Sequence, residues 1–281
     1  MTQRSQTPRA FLPIAALGAL LLLGGCKDDA ASESAADATR EKLAQEESVA
    51  AAASGIWPSP DAGEIDGLDP MRTRDNLFLV PDMSGSMGGG ECAGDSASKA
   101  DAARAALGAW IATVPEEANV GFAVFRDSRT RTVVPLGTGN RDRLAEAFVT
   151  ETRAPDGGTP LAGALAHAAQ ELEVQGLRQE GYGTYRVVMI TDGAHSSGED
   201  PRPVVERIYT NPANPIEVST IGFCVDQNHA LNMDGVTDYV SAANPRELSA
   251  GLDSVLPESR AFDATDFEAL PTAGEGTQDG S

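Results

Sequence analysis

The sequence predicts an α/β domain, a doubly wound and mostly parallel sheet with helices on both faces, flanked by disordered tails. Short runs rich in β-branched and aromatic residues recur at 77–80, 120–125, 186–191 and 218–223, with the near-continuous apolar character of strands buried on both faces. Segments of helical periodicity lie between them, and alternation of this kind builds a sheet covered by helices on each side. Composition bounds the domain: the chain of 281 residues is rich in Ala, Ser, Glu and Asp before it, and beyond Arg260 it carries five acids and no base.

At the N-terminus, Arg4 and Arg9 precede an apolar run of 13 residues at 11–23. Such a run is too short to span a bilayer as a helix and reads as an export signal, which makes 1–25 a signal peptide. Leu23-Gly-Gly-Cys26 resembles the bacterial lipobox, which implies cleavage before Cys26 and lipid on its thiol. By the sorting rule of Gram-negative lipoproteins, Lys27 directly after the cysteine implies the outer membrane of the cell envelope. Residues 1–25 carry two Arg and no acid, so their removal takes the net charge from −21 to −23. Residues 26–75 then form a flexible acidic, Ala-rich tether with a short helix favoured around Thr39 to Ala53. As a coil it reaches roughly 35–40 Å.

Within 76–258 each element has its own signal. Leu107, Trp110, Ile111 and Val114 fall at i, i+3, i+4 and i+7, with Pro115 as the stop. After Thr159, Pro160 occupies the first helical position, Leu161, Leu165, Ala168 and Leu172 share a face, and Gly176 closes the helix. Asn244-Pro-Arg-Glu247 opens a last helix with a cap and an acid three residues on. Val133 and Val134 predict a short antiparallel edge strand beside 120–125. Only about a dozen residues separate the strand ending near Phe223 from the next at 238–241. That is the lower limit for a parallel crossover, so the helix there is reduced to a turn. Residues 259–281 form an acidic disordered tail.

The charge of −21 disfavours nucleic acid, whose phosphates bind through Lys and Arg, and disfavours adsorption to anionic lipid. The chemistry lies in small oxygen donors. Asp82, Ser84 and Ser86 follow at once on the strand pattern in Leu77-Phe-Leu-Val-Pro-Asp-Met-Ser-Gly-Ser-Met87. Thr159 stands in Asp156-Gly-Gly-Thr-Pro160, and Asp192 ends Val187-Val-Met-Ile-Thr-Asp192. Five such donors without Cys or His suit a hard cation, Mg²⁺ or Mn²⁺ before Zn²⁺. Ligands of open α/β sheets bind at the carboxyl ends of strands, where Asp82 and Asp192 fall.

This pattern resembles the metal-ion-dependent adhesion site of von Willebrand factor type A domains, integrin I domains among them, over residues 76–258. The resemblance implies a Rossmann-like sheet with the first strand beside the fourth, so that Asp82 and Asp192 leave strands about 5 Å apart. It implies metal ligation by the hydroxyls of Ser84, Ser86 and Thr159, with Asp82 and Asp192 binding through water or directly. The cofactor is then Mg²⁺, or Mn²⁺ or Ca²⁺ in its place, and the partner is a protein presenting a Glu or Asp carboxylate. Residues 88–94, Gly-Gly-Gly-Glu-Cys-Ala-Gly, depart from the family pattern and remodel the rim.

With Cys26 assigned to lipid, Cys92 and Cys224 remain, in a compartment where disulfides persist. In the strand order that the resemblance implies, one strand separates theirs, about 9–10 Å apart. The glycine-rich loop then carries Cys92 across to form a disulfide; two free thiols are the alternative. His167 and His229 read as packing or surface residues, while His195 lies at the metal edge. No Gly-x-Ser-x-Gly elbow, Zn-ligand His pair or Walker A loop is present, and the expectation is a binding module with no catalytic residue. Two alternatives stay open: a structural lipoprotein whose metal only stabilises the domain, and a Mg²⁺-dependent phosphatase. The second requires an Asp where Ser84 stands.

Overall fold

Strands β1 (Asp75–Pro81), β2 (Asn119–Arg126), β4 (Thr184–Thr191), β5 (Ile216–Phe223) and β6 (Asp238–Ala242) run parallel, and β3 (Arg129–Val134) pairs antiparallel with β2. The sheet order is β3-β2-β1-β4-β5-β6. The computed structural model describes residues 55–126, 129–153 and 155–256. The chain divides into Met1–Glu47 and Ser48–Ser281, and every described residue belongs to the second unit. The signal segment, Cys26, the helix around Thr39 to Ala53 and the acidic tail lie outside the described residues. Among the described residues no helix is long and apolar enough to cross a membrane.

Alternation along β1 explains why its run is apolar throughout. Leu77 and Leu79 pack on one face with α1 (Lys99–Ile111), α2 (Arg141–Glu151) and α5 (Pro245–Val255), through Leu107, Phe148 and Leu252 among others. Phe78 and Val80 pack on the other face with α3 (Leu161–Arg178) and α4 (Arg202–Thr210), through Leu165, Leu172 and Val205. A residue pointing to either side therefore meets a helix, and no polar side is left along the strand. At α5, Asn244 accepts hydrogen bonds from the backbone N–H groups of Arg246 and Glu247, and Glu247 reaches back to the N–H of Ala243. The cap and the acid three residues on are those its sequence predicts, with the acid binding the Asn244 side chain and the N–H one residue ahead of the cap instead of the cap's own N–H. The edge strand β3 stands where Val133 and Val134 place it, and residues 224–237 connect β5 to β6 through turns without a helix.

Three expectations need correction. Gly176 does not close α3, which continues to Arg178, and Pro160 caps that helix instead of beginning it. The reason for the glycine is lateral: a Cβ on Gly176 would lie 2.6 Å from the Trp57 ring. The tether also ends earlier than residue 75. Trp57 packs edge-on against Tyr185 with ring centroids 4.5 Å apart, Ser59 N–H donates to Glu173 at 2.9 Å, and Asp69 N–H donates to the carbonyl of Arg178 at 2.8 Å. Asp69 in turn accepts from Arg74 and Asn119, so residues 57–74 are fastened to α3 and the amino end of the sheet.

Gly176→Ala separates these effects by sign. Helix propensity alone makes the change stabilising by about 1 kcal/mol, whereas overpacking against Trp57 makes it destabilising by about 1–3 kcal/mol. We expect a lower urea midpoint and a red-shifted Trp57 emission, Trp110 being buried elsewhere in the core. A raised midpoint would contradict the docking of Trp57.

Candidate functional site

The strand order reverses between β1 and β4: connections from β1 lead outward to β2 and β3, and those from β4 to β5 and β6. At such a point the loops leaving the two carboxyl ends diverge and open a crevice. Pro81 pairs with Ile190, and Asp82 N–H extends the ladder by donating to the Ile190 carbonyl at 2.6 Å. Asp82 thus arrives beside Thr191, whose hydroxyl donates to Asp82 Oδ2 at 2.7 Å, and Asp192 follows directly.

From Asp82 a continuous polar chain runs across the crevice. Asp82 Oδ1 accepts from Ser84 N–H at 2.8 Å, Ser84 Oγ lies 3.0 Å from Ser86 Oγ, and Ser86 Oγ donates to Asp192 Oδ1 at 2.7 Å. A 3-10 turn over Gly85–Gly88 shapes this loop and drives Met87 into the core. The Thr159 loop docks on it through backbone bonds, Asp156 N–H to the Met83 carbonyl at 2.9 Å and Gly85 N–H to the Gly157 carbonyl at 3.1 Å. Ser196 holds the same loop from the β4 side: its hydroxyl accepts from Thr159 N–H at 2.8 Å and its own N–H donates to the Thr159 carbonyl at 2.9 Å. Gly158 permits this approach, since a Cβ there would lie 2.6 Å from Ser196 Oγ. All five predicted site residues therefore gather at one end of the sheet, on three mutually fastened loops.

The chain is buried at both ends, at Asp82 and at Asp192, and open between them. Asp82 and Ser84 are buried, whereas Ser86, Gly85, Gly157 and Gly158 are exposed. Burial pushes the Asp82 carboxyl up to about 6; hydrogen bonds from Ser84 and Thr191 act against that rise, and the charge of Asp192 adds to it. Asp192 is balanced differently. Its Oδ2 lies 2.8 Å from Lys99 Nζ and meets no other polar partner among the described residues, and both side chains are almost wholly enclosed.

Lys99, Ser196 and Thr191 join the site although they belong to none of its motifs. Lys99 carried a usable signal, because a cation in the first turn of a helix opposes the helix dipole and calls for a compensating anion. His229 does more than fill space: its Nδ1 accepts from Leu231 N–H at 3.1 Å, so its Nε2 donates to the Gly193 carbonyl at 2.9 Å. Burial lowers its pKa and keeps the ring neutral behind the Asp192 loop. His195 is half-buried at the edge of the site, with Nδ1 3.0 Å from the Ser196 carbonyl. His167 packs under β3 beside the Thr132 hydroxyl.

The donor set fits a small hard cation. Oxygen ligands at 2.0–2.1 Å from an octahedral ion stand about 3 Å apart along an edge, close to the 3.0 Å between the Ser84 and Ser86 oxygens and the 2.7 Å between Ser86 and Asp192. Calcium, with longer bonds, asks for wider spacing. Among the described residues no group of three or more His, Cys, Asp or Glu side chains is placed to hold a metal, so an ion here depends on the hydroxyls.

The rim is held by the expected disulfide. Cys92 and Cys224 are bonded with Cα atoms 5.7 Å apart, across 132 residues of sequence. Closing a loop of that length in the unfolded chain stabilises the fold by about 5 kcal/mol in the chain-entropy account. The glycine-rich segment also receives the start of α1, where Lys99 N–H donates to the Gly89 carbonyl at 2.8 Å.

A family model described as von Willebrand factor type A domain matches residues 76–275. Among solved structures, a von Willebrand factor type A protein from Catenulispora acidiphila is 19% identical with a TM-score of 0.52, over 65% of this chain and 42% of that one. The manganese-loaded TRAP protein of Plasmodium vivax is 20% identical with a TM-score of 0.48, over 64% and 72%. Proximal thread matrix protein 1 from the mussel byssus, with a zinc-occupied MIDAS motif, is 17% identical with a TM-score of 0.49, over 67% and 48%. The likeness to the first of these shows the fold alone, and the chain spans less than half the length of the first and third proteins. No curated protein matches the chain.

The raised Asp82 carboxyl has a consequence for stability. The folded chain holds this proton up to about 6, whereas the unfolded chain releases it near 3.8. The stabilisation is therefore fully present below the unfolded value and is lost as pH rises through the folded one. In protein stripped of divalent ions, the urea midpoint of wild type relative to Asp82→Asn should fall between pH 4 and 7. Added Mg²⁺ should flatten or reverse that slope, because a cation favours the ionised carboxylate. Identical pH profiles for the two proteins would contradict the assignment.

Proposed function

The chain belongs to the von Willebrand factor type A domain family, and from that premise we propose that it is a membrane-anchored binding module that grips a protein carboxylate through a divalent ion. Ser84, Ser86 and Thr159 would hold the ion by their hydroxyls, with Asp192 beside them. Asp82 acts mainly by position, since both its oxygens are already engaged by Ser84 N–H and the Thr191 hydroxyl. It orients the loop and places negative charge behind the serines. When bound, the ion, Mg²⁺ or Mn²⁺, supplies an electron-poor open position that attracts an anionic oxygen such as a partner's Glu or Asp.

What carries this reading is the polarity of the site: a polar chain anchored in the core at Asp82 and at Asp192 surfaces at exposed Ser86, flanked by exposed glycines that leave room for an incoming side chain. A net charge of −21 repels acidic proteins at long range, so the target carboxylate belongs on a neutral or basic surface. The first 25 residues and Cys26 support an exported, lipid-anchored protein of the cell envelope, with Lys27 favouring the outer membrane of a Gram-negative bacterium. Binding asks for no catalytic group, and Ser84 stands where a phosphatase of the haloacid dehalogenase type would need Asp.

Crosslinked capture from isolated membranes tests the proposal. Chelator should abolish capture, Mg²⁺ or Mn²⁺ should restore it, and Thr159→Ala should weaken it roughly tenfold or more with the fold retained. Capture that survives chelator and Asp82→Ala unchanged would refute the adhesion reading. If chelator lowers only the melting temperature, the metal is structural.

A further inference from the structure

The cation already present at the site is the ammonium of Lys99. Its side chain is 9% exposed and that of Asp192 is 0% exposed, with Nζ and Oδ2 2.8 Å apart. Two unit charges this close and this dry attract far more strongly than a surface pair, and Asp192 Oδ2 has nothing else to balance it among the described residues. The other oxygen of the same carboxylate accepts from Ser86 in the polar chain that would hold the ion. A divalent ion and the ammonium thus draw on one carboxylate.

A second anion waits for the lysine. Glu91 Oε2 lies 3.8 Å from Nζ, and the Glu91 side chain is 74% exposed. The loop carrying Glu91 is fixed next door by the Cys92–Cys224 disulfide and by Lys99 N–H on the Gly89 carbonyl. Glu91 folds back over Gly89, where any Cβ would collide with Oε2, so the position of this carboxylate depends on the glycine. Lysine has a flexible four-carbon stem and a point charge that exchanges partners without the directional demands of a guanidinium.

We propose that Lys99 is a tethered competitor for the divalent ion: it neutralises Asp192 while the ion is away and moves to Glu91 when the ion enters. The inference rests on the metal reading above and deepens it. Lys99 is a positioning and affinity-setting residue. It keeps the buried Asp192 paired in the ion-free domain and weakens ion binding relative to a site without it. The charge sum is consistent with the exchange: Asp82, Asp192, Glu91 and Lys99 together carry two net negative charges, which one divalent ion brings to zero. A merely structural lysine would act in the opposite direction on affinity, because its loss would loosen the site.

The test is Mn²⁺ titration of the full chain by calorimetry, paired with melting temperatures in chelator, for wild type, Lys99→Met, Lys99→Arg and Glu91→Gln. We expect Lys99→Met to bind Mn²⁺ at least tenfold more tightly and to melt several degrees lower in chelator. Lys99→Arg, which keeps the charge beside Asp192 but exchanges partners less readily, should bind Mn²⁺ no more tightly than wild type, and tighter binding would overturn the proposal. Glu91→Gln should bind several-fold more weakly with an unchanged melting temperature in chelator, and it keeps the proposal falsifiable should Lys99→Met fail to fold. Unchanged or weaker affinity in Lys99→Met, or unchanged affinity in Glu91→Gln, would overturn the exchange while leaving the metal site standing. If none of the four proteins binds Mn²⁺ at millimolar concentration, the metal reading itself falls and this inference with it.

Discussion

Two aspartates at the carboxyl ends of adjacent parallel strands set the terms for this domain. A carboxylate withdrawn from water is costly unless it is hydrogen-bonded or paired. The hydrogen bonds between β1 and β4 place Asp82 and Asp192 next to one another. Each is compensated in its own way. Asp82 receives a backbone N–H and a threonine hydroxyl, while Asp192 receives a serine hydroxyl and an ammonium. The glycine loops, the start of α1 and the rim disulfide are arranged so that these partners arrive. A divalent ion at this point would complete a compensation that the protein has already begun, which is why the site reads as poised for a cation.

The two ends of the sheet do different work. At the carboxyl end, polar loops meet and leave Ser86 open to solvent. At the amino end, Trp57, Ser59 and Asp69 tie the incoming chain to α3 and the sheet. The described chain therefore enters at the end of the sheet opposite the proposed partner site, and the disulfide between Cys92 and Cys224 joins the loops at the other end.

Most of the fold was legible because apolar runs buried on two faces cannot be mistaken for loops, and β1, β2, β4 and β5 each carry one. α2 and α4 were harder to single out. The first buries only Leu144, Ala147 and Phe148, and the second only Val204, Val205 and Ile208, too few for a sustained helical period. Gly176 misled for a physical reason: glycine ends helices and also makes room for a ring, and only the position of Trp57 distinguishes the two. In the site, the five oxygen donors were legible as a motif, since each stands just past a strand or before a helix. Lys99, Thr191 and Ser196 were not, because their partners lie 93, 109 and 37 residues away in sequence and meet them only through the sheet. The disulfide was legible by arithmetic once Cys26 was set aside, and the glycine-rich loop supplied the reach.

The proposed ion lies among Ser84, Ser86, Thr159 and Asp192, and a crystal structure grown with Mn²⁺ and measured at the manganese absorption edge would locate it. One anomalous peak is expected within bonding distance of the Ser84 and Ser86 hydroxyls, with Thr159 beside it and Lys99 Nζ moved away from Asp192. An edge measurement with no peak in the crevice between β1 and β4, and Lys99 still on Asp192, would rule the ion site out.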